Sequence, residues 1–281
     1  PVGRVPPRWE PPRAQGLARA YHRTCRQQAA RPQLKVATPR MRMFAGPNGS
    51  GKSTLKEVLP SALLGVYVNP DDMEKSMRAQ GMLDFSAYQV HTDAGTVLSF
   101  LRESPLLRKE GLLEQIDGLR FADNQLVFGC VPINSYWASV LSDFIRHRLL
   151  ESRTSFTFET VMSSPDKVAF LQKAREHGFR TYLYYVATED PAINISRVEH
   201  RVRMGGHPVP EEKIVERYHR SLGLLAQAVR QTDRAYIFDN SSQDRLWLGE
   251  VTDGVELESK SERMPRWFAD ALWNRFGEEA Q

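Results

Sequence analysis

The stretch MRMFAGPNGSGKSTLKEVLP, residues 41–60, decides the fold. A short apolar run enters a loop with three glycines, then Lys-Ser-Thr, then a helical pattern. Gly46 to Ser53 fits G-x-x-x-x-G-K-[ST] in full, with a strand expected before it and a helix, Gly51 to about Val58, after it. Glycines let successive backbone N–H groups turn toward a phosphate, and a helix start adds a positive end. In that reading Gly46, Asn48, Gly49, Ser50, Gly51, Lys52, Ser53 and Thr54 hold the phosphates of ATP. Lys52 reaches the β- and γ-phosphates, and the Ser53 hydroxyl ligates Mg²⁺.

Working outward, strands alternate with helices. MRMFA (41–45), GVYVN (65–69), SFTFET (155–160), RTYLYYVAT (180–188) and RAYIFDN (234–240) read as strands. The helix SPDKVAFLQKAREHG (164–178) has Ser164 as a candidate N-cap, Pro165 in its first turn and Gly178 at its end. PAINISRVEHRVRM and EEKIVERYHRSLGLLAQAVRQ are helices divided by GGHPVP. This order implies the α/β class, a parallel sheet covered by helices. Residues 73–154 are too long for one crossover and read as a largely helical insertion, with a helix after Asn134 or Ser135 and a hairpin turning at Asp123-Asn124. Such insertions commonly build a second-substrate site. The domain reading is a basic extension over 1–40, a core over 41–242, and a helical tail over 243–281. In that tail Trp267, Phe268, Ala271, Leu272 and Phe276 share one face.

The net charge of +4 is unevenly spread: residues 1–40 carry nine Lys or Arg against one acid, a net of +8, so the remainder sums to −4. A basic helix is expected over 14–31. The body is not basic, which weighs against a nucleic-acid binder. No run of about 18 apolar residues is present, and no signal-peptide pattern is read, so no membrane role is expected. Cys25 and Cys130 show no metal-ligand or disulfide pattern and suit a reducing compartment.

Asp71 and Asp72 follow the second strand, where ligand sites of parallel sheets sit. A carboxylate there can take the proton of an attacking hydroxyl. The competing reading is a helix N-cap. Glu159 and Thr160 end the third strand, where Glu159 can orient substrate or hold Mg²⁺ through water. Arg197, Arg201 and Arg203 precede a Gly205-Gly206 hinge, and Arg197 and Arg201 share a helix face. On a hinged segment they can close over phosphates and stabilise transition-state charge. The histidines show no metal-ligand spacing; His207, beside the hinge, is the one singled out for a test.

Taken in order, FAGPNGSGKST, NPDDM, SFTFETVMS, AREHGFRTYLYYVA, RVEHRVRMGGHPVP and YIFDNS resemble the zeta-toxin family of P-loop kinases from about Met41 to Ser242. The resemblance implies a five-stranded parallel core of order 2-3-1-4-5, ATP–Mg²⁺ as donor, and transfer to a hydroxyl of a nucleotide-linked sugar. Carried over, the catalytic aspartate falls on Asp71, the substrate-site glutamate on Glu159 and the first lid arginine on Arg197. The second lid arginine falls near His207, where this chain has none; Arg201, Arg203 or a charge supplied otherwise would replace it. Asn240 falls where the adenine pocket closes. A minimal zeta toxin acts on UDP-N-acetylglucosamine. The basic extension and long insertion look more like zeta-toxin-like type III effectors of plant-pathogenic bacteria. Those phosphorylate NAD on its adenosine ribose and are held in check by a cognate binding protein. The expectation is therefore a bacterial cytoplasmic toxin, or an effector delivered into a host cell, with a cognate antitoxin or chaperone-like partner. Competing classes are an ATPase motor or transport subunit, for which no LSGGQ-type signature is found, and a polynucleotide kinase.

Overall fold

The computed structural model describes residues 38–57, 59–206 and 208–277. The expected basic helix over 14–31, Cys25 and His207 lie outside the described residues.

The strands are β1 (Arg40–Ala45), β2 (Val66–Val68), β3 (Met82–Asp84), β4 (Arg120–Ala122), β5 (Gln125–Val127), β6 (Phe156–Thr160), β7 (Arg180–Ala187), β8 (Arg234–Asp239), β9 (Leu246–Thr252) and β10 (Glu256–Ser259). The helices are α1 (Ser61–Leu64), α2 (Pro70–Gln80), α3 (Ala94–Glu103), α4 (Pro105–Lys109), α5 (Ser135–Glu151), α6 (Pro165–Glu176), α7 (Pro191–Arg203) and α8 (Glu211–Arg230). A terminal helical segment runs through Arg266–Phe268, Ala269–Trp273 and Asn274–Gly277.

The main sheet has the order β10-β9-β8-β7-β1-β6-β2. β8, β7, β1, β6 and β2 pair in parallel, so the expected 2-3-1-4-5 order of the parallel core holds. The strand count differs: β9 and β10 add an antiparallel pair outside β8, making seven strands. The tail is thus not purely helical. Asp253 (φ 51°) and Gly254 (φ 73°), in the left-handed region, turn the chain in the three-residue connection between β9 and β10.

β1 is buried on both faces, as a central parallel strand must be. Met41, Met43 and Ala45 join the larger core, which takes in residues of α5, α6 and α8. Phe44 joins the smaller one with Leu55, Leu59, Leu64, Tyr184 and Tyr236. The insertion is not a separate body, because Leu83, Phe85, Leu101, Phe128 and Trp137 lie in the same buried cluster as the sheet. It holds most of α2 and all of α3, α4 and α5, in line with the largely helical insertion expected, and also a three-stranded antiparallel sheet of order β3-β5-β4. Its hairpin turns at Asp123 (φ 50°) and Asn124 (φ 62°), as the sequence led one to expect. Asn134 caps α5, accepting from the Tyr136 and Trp137 amides at 3.0 and 3.3 Å. Ser164 stands at the start of α6 but makes no capping hydrogen bond. In the tail, Trp267, Phe268, Ala271 and Leu272 are buried, so that helical face docks on the core.

Candidate active site at the C-terminal edge of the sheet

The glycine loop leaves β1 and enters a 3-10 helix, Lys52–Glu57, tighter and shorter than the α-helix expected there. The backbone of the loop is set by close approach. A Cβ on Gly46 would stand 2.0 Å from the Val186 carbonyl oxygen. One on Gly51 (φ +94°) would stand 2.3 Å from Asn240 Nδ2. That amide cannot simply withdraw, because Nδ2 donates to the Ser50 carbonyl at 2.8 Å. Gly51→Ala is therefore expected to destabilise the fold, by about 1–2 kcal/mol for the left-handed backbone alone. A chain of this size loses roughly 2–4 °C of melting temperature per kcal/mol. An unchanged melting curve would show that the loop relaxes freely.

Asn240 thus braces the loop backbone, which differs from the adenine-pocket position carried over from the family. Lys52 Nζ donates to the carbonyls of Gly46 and Pro47, both at 2.9 Å. Burial lowers its pKa to about 8, against the partial support of Glu159 and Asp71. A lysine charge held this close to a loop of N–H groups is suited to an anion.

From the neighbouring strand β6, buried Glu159 accepts from Ser53 Oγ at 3.0 Å and from the Tyr67 hydroxyl on β2. The serine and the glutamate expected to serve one Mg²⁺ are therefore in contact. Among the described residues no group of three or more His, Cys, Asp or Glu gathers to hold a metal. The hydroxyl–carboxylate pair fits Mg²⁺, a hard cation that takes few protein oxygens and fills the rest with phosphate and water. Thr160, named with Glu159, is used otherwise: its hydroxyl accepts from the Met162 amide at 3.1 Å and shapes the turn after β6.

The ambiguity at Asp71 is resolved by its neighbour. Asn69 is the N-cap of α2, accepting from the Asp71 amide at 2.9 Å. The Asp71 side chain is left for other work, and it meets Arg201 Nη1 at 3.2 Å.

Helix α7 presents one face to the loop. Asn194 Nδ2 donates to the Asn48 carbonyl at 2.5 Å. Arg197 lies one turn further and Arg201 one turn beyond that. Arg197 Nη1, Asn48 Oδ1 and Ser50 Oγ are buried without hydrogen-bond partners. Unmet buried polar atoms cost about 1–3 kcal/mol each, and three around one loop mark the place of a polar ligand. Arg203 is exposed at the end of α7 and is not brought to this cluster.

Three residues at the site were not singled out in the sequence: Tyr67, Asn194 and Arg245. Tyr67 alternates with the buried Val66 and Val68, so strand periodicity marked it as facing the other way. Asn194 shares the helix face of Arg197 and Arg201, a spacing that was also legible. Arg245 Nη2 donates to Thr54 Oγ1 across 191 positions of sequence, and no local signal points to it.

The sheet order and the glycine loop at its C-terminal edge define a P-loop kinase-type α/β fold. Residues 137–252 match the model of the family described as Zeta toxin, so the resemblance read from the sequence stands over the second half of the fold. The solved AvrRxo1-ORF1:-ORF2 complex with ATP is similar, with a TM-score of 0.50 and 14% identity over 79% of this chain and 60% of that one. The structure of the PezAT toxin–antitoxin system of Streptococcus pneumoniae aligns with a TM-score of 0.44 and 16% identity, over 88% of this chain and 82% of that one. An uncharacterized protein of Haemophilus influenzae is 29% identical over 72 residues, 26% of this chain and 51% of that one. The chain therefore spans about half the length of that curated relative.

Proposed function

We propose that this protein is an ATP-dependent small-molecule kinase of zeta-toxin type. It transfers the γ-phosphate of ATP to a sugar hydroxyl of a nucleotide-linked substrate. One observation carries the reading: the Asp71–Arg201 pair and Glu159, which holds Ser53, all lie within electrostatic reach of Lys52, with Asp71 following β2 and Glu159 on β6. That is the place where an acceptor hydroxyl would face the last phosphate of the donor.

In this mechanism the loop amides and Lys52 bind the donor phosphates. Arg197 and Arg201 gather on the transferring group as α7 closes. Asp71 orients the acceptor hydroxyl and takes its proton as the oxygen attacks phosphorus. Glu159 fixes Ser53, and Tyr67 fixes Glu159. Mg²⁺, when bound, supplies neutralisation of phosphate charge. A carboxylate there can serve an acceptor hydroxyl or a water, so the kinase reading is tested by whether a phosphorylated acceptor forms.

NAD, at its adenosine ribose, is the favoured acceptor, in keeping with the effector-like extension and insertion. UDP-N-acetylglucosamine is the second. A cognate inhibitory protein is part of the proposal, in keeping with the similar AvrRxo1-ORF1:-ORF2 structure, which holds two components. The proposed place of action is the bacterial cytoplasm or a host cell. No helix among the described residues is long and apolar enough to cross a membrane.

The test is incubation with ATP–Mg²⁺ and NAD, UDP-sugars or oligonucleotides, read by mass spectrometry. A gain of one phosphoryl group on NAD is expected. Phosphorylation of oligonucleotides alone, or ATP hydrolysis with no phosphorylated acceptor, would overturn the proposal.

A further inference from the structure

The sheet order fixes which way a bound donor must run. β6 and β2 lie on one side of β1; β7 and β8 lie on the other. A phosphoryl group passed to a hydroxyl at Asp71 leaves toward β6 and β2, so the nucleoside end of the donor trails toward β7 and β8.

Two side chains reach the loop from that trailing side, both from the turn between β8 and β9. Asn240 holds the Ser50 carbonyl at 2.8 Å. Arg245 holds the Thr54 hydroxyl, which itself donates to the Gly51 carbonyl at 2.7 Å. The turn is fixed at both ends. Ser241 Oγ donates to Asp239 Oδ2 at 2.8 Å and accepts from the Glu189 amide at 2.8 Å. Arg245 runs straight into β9, which is paired to β8. The arginine is therefore carried on a braced segment. A guanidinium placed there brings permanent positive charge and a planar fork of donors to the rim of a phosphate-binding loop.

We propose that Arg245 is a donor-binding residue. It contacts the phosphate nearest the nucleoside in a bound nucleoside di- or triphosphate. The proposal rests on the kinase reading for the direction of the donor, and it adds a residue that no motif in the chain marks.

The test uses the whole chain, with Arg245→Ala and Arg245→Lys. ATP and ADP affinities are measured by calorimetry, and KM and kcat by phosphoryl transfer. Arg245→Ala is expected to weaken both nucleotides about tenfold or more and to raise KM for ATP, with kcat within a few-fold of the original. Arg245→Lys is expected to recover part of the loss, and the loss should shrink at high salt, as charge contacts do. Equal ATP affinity in the original chain and Arg245→Ala would overturn the assignment. So would an equal loss in both variants with a lowered melting temperature, which would make Arg245 only a brace for Thr54. If the original chain binds no nucleotide at all, the kinase reading fails first and takes this inference with it. If nucleotide binds normally and only Arg245→Ala is silent, the kinase reading survives alone.

Discussion

Asp71→Asn is expected to keep ATP bound and to lose phosphoryl transfer. The change keeps shape and removes only the ability to carry charge and accept a proton. The fold should tolerate it. The helix cap at this point is Asn69, not Asp71. The Asp71–Arg201 pair, with side chains 70% and 41% exposed, is too open to contribute much stability. Nor does Asp71 hydrogen-bond the loop that holds the donor. A positioned proton acceptor contributes roughly 10²–10⁴-fold to rate, so kcat should fall by about that factor while the ATP dissociation constant stays near its original value. The two measurements are nucleotide titration and mass-spectrometric initial rates on the accepted substrate. Transfer at the normal rate would show that Asp71 is not the base. Loss of ATP binding with loss of fold would show that its role is structural.

The parallel core was legible because its strands are local objects. MRMFA and RTYLYYVAT are short apolar or aromatic runs bounded by turn residues, and they lie within a residue or two of β1 and β7. The β9–β10 pair was equally local: alternating residues on either side of Asp253-Gly254. It escaped because the tail was searched for helical periodicity, and because β10 is an exposed edge strand and β9 beside it is only partly buried. The loop's helix is a different case. Gly-Lys-Ser-Thr is a sound helix start, but the turn observed is 3-10, and the side chains that hydrogen-bond around it, Asn240 to Ser50 and Arg245 to Thr54, come from far along the chain. The same divide runs through the site. Spacing marked Lys52, Ser53, Asp71 and Glu159. The hydrogen bond that joins two of them, Ser53 to Glu159, links a turn and a strand 106 positions apart. No periodicity encodes such pairings, and the sheet order alone brings them together.

Lys52→Met is expected to abolish transfer without weakening the unliganded protein, and the pH dependence of the two effects runs in opposite directions. Burial lowers the Lys52 pKa to about 8 from an ordinary value of 10.5. The folded state therefore holds this proton less tightly than the unfolded one. Below pH 8 the charged lysine works against folding in full, and that cost is relieved as pH rises from about 8 to 10.5. At 1.36 kcal/mol per pH unit this bounds the cost at roughly 3.4 kcal/mol, and the partial exposure of the side chain makes it smaller. The hydrogen bonds to Gly46 and Pro47, both at 2.9 Å, offset part of it. Methionine has nearly the same length and no charge, so the variant should melt at or above the original temperature at pH 7. The donor phosphates need the charged form. ATP affinity should then fall as pH rises through about 8, and binding above that pH should draw a proton onto Lys52. Calorimetry in buffers of different ionisation enthalpy reads that uptake directly. In Lys52→Met the proton uptake should vanish, and transfer should fall at least 10²–10³-fold, as when one preorganised donor to a developing charge is removed. The comparison is made as a difference between variant and original, which cancels every other group the two chains share. A variant that melts well below the original at pH 7 would mean that Lys52 holds the empty loop together. Undiminished transfer would mean that the loop does not hold the reacting phosphates at all.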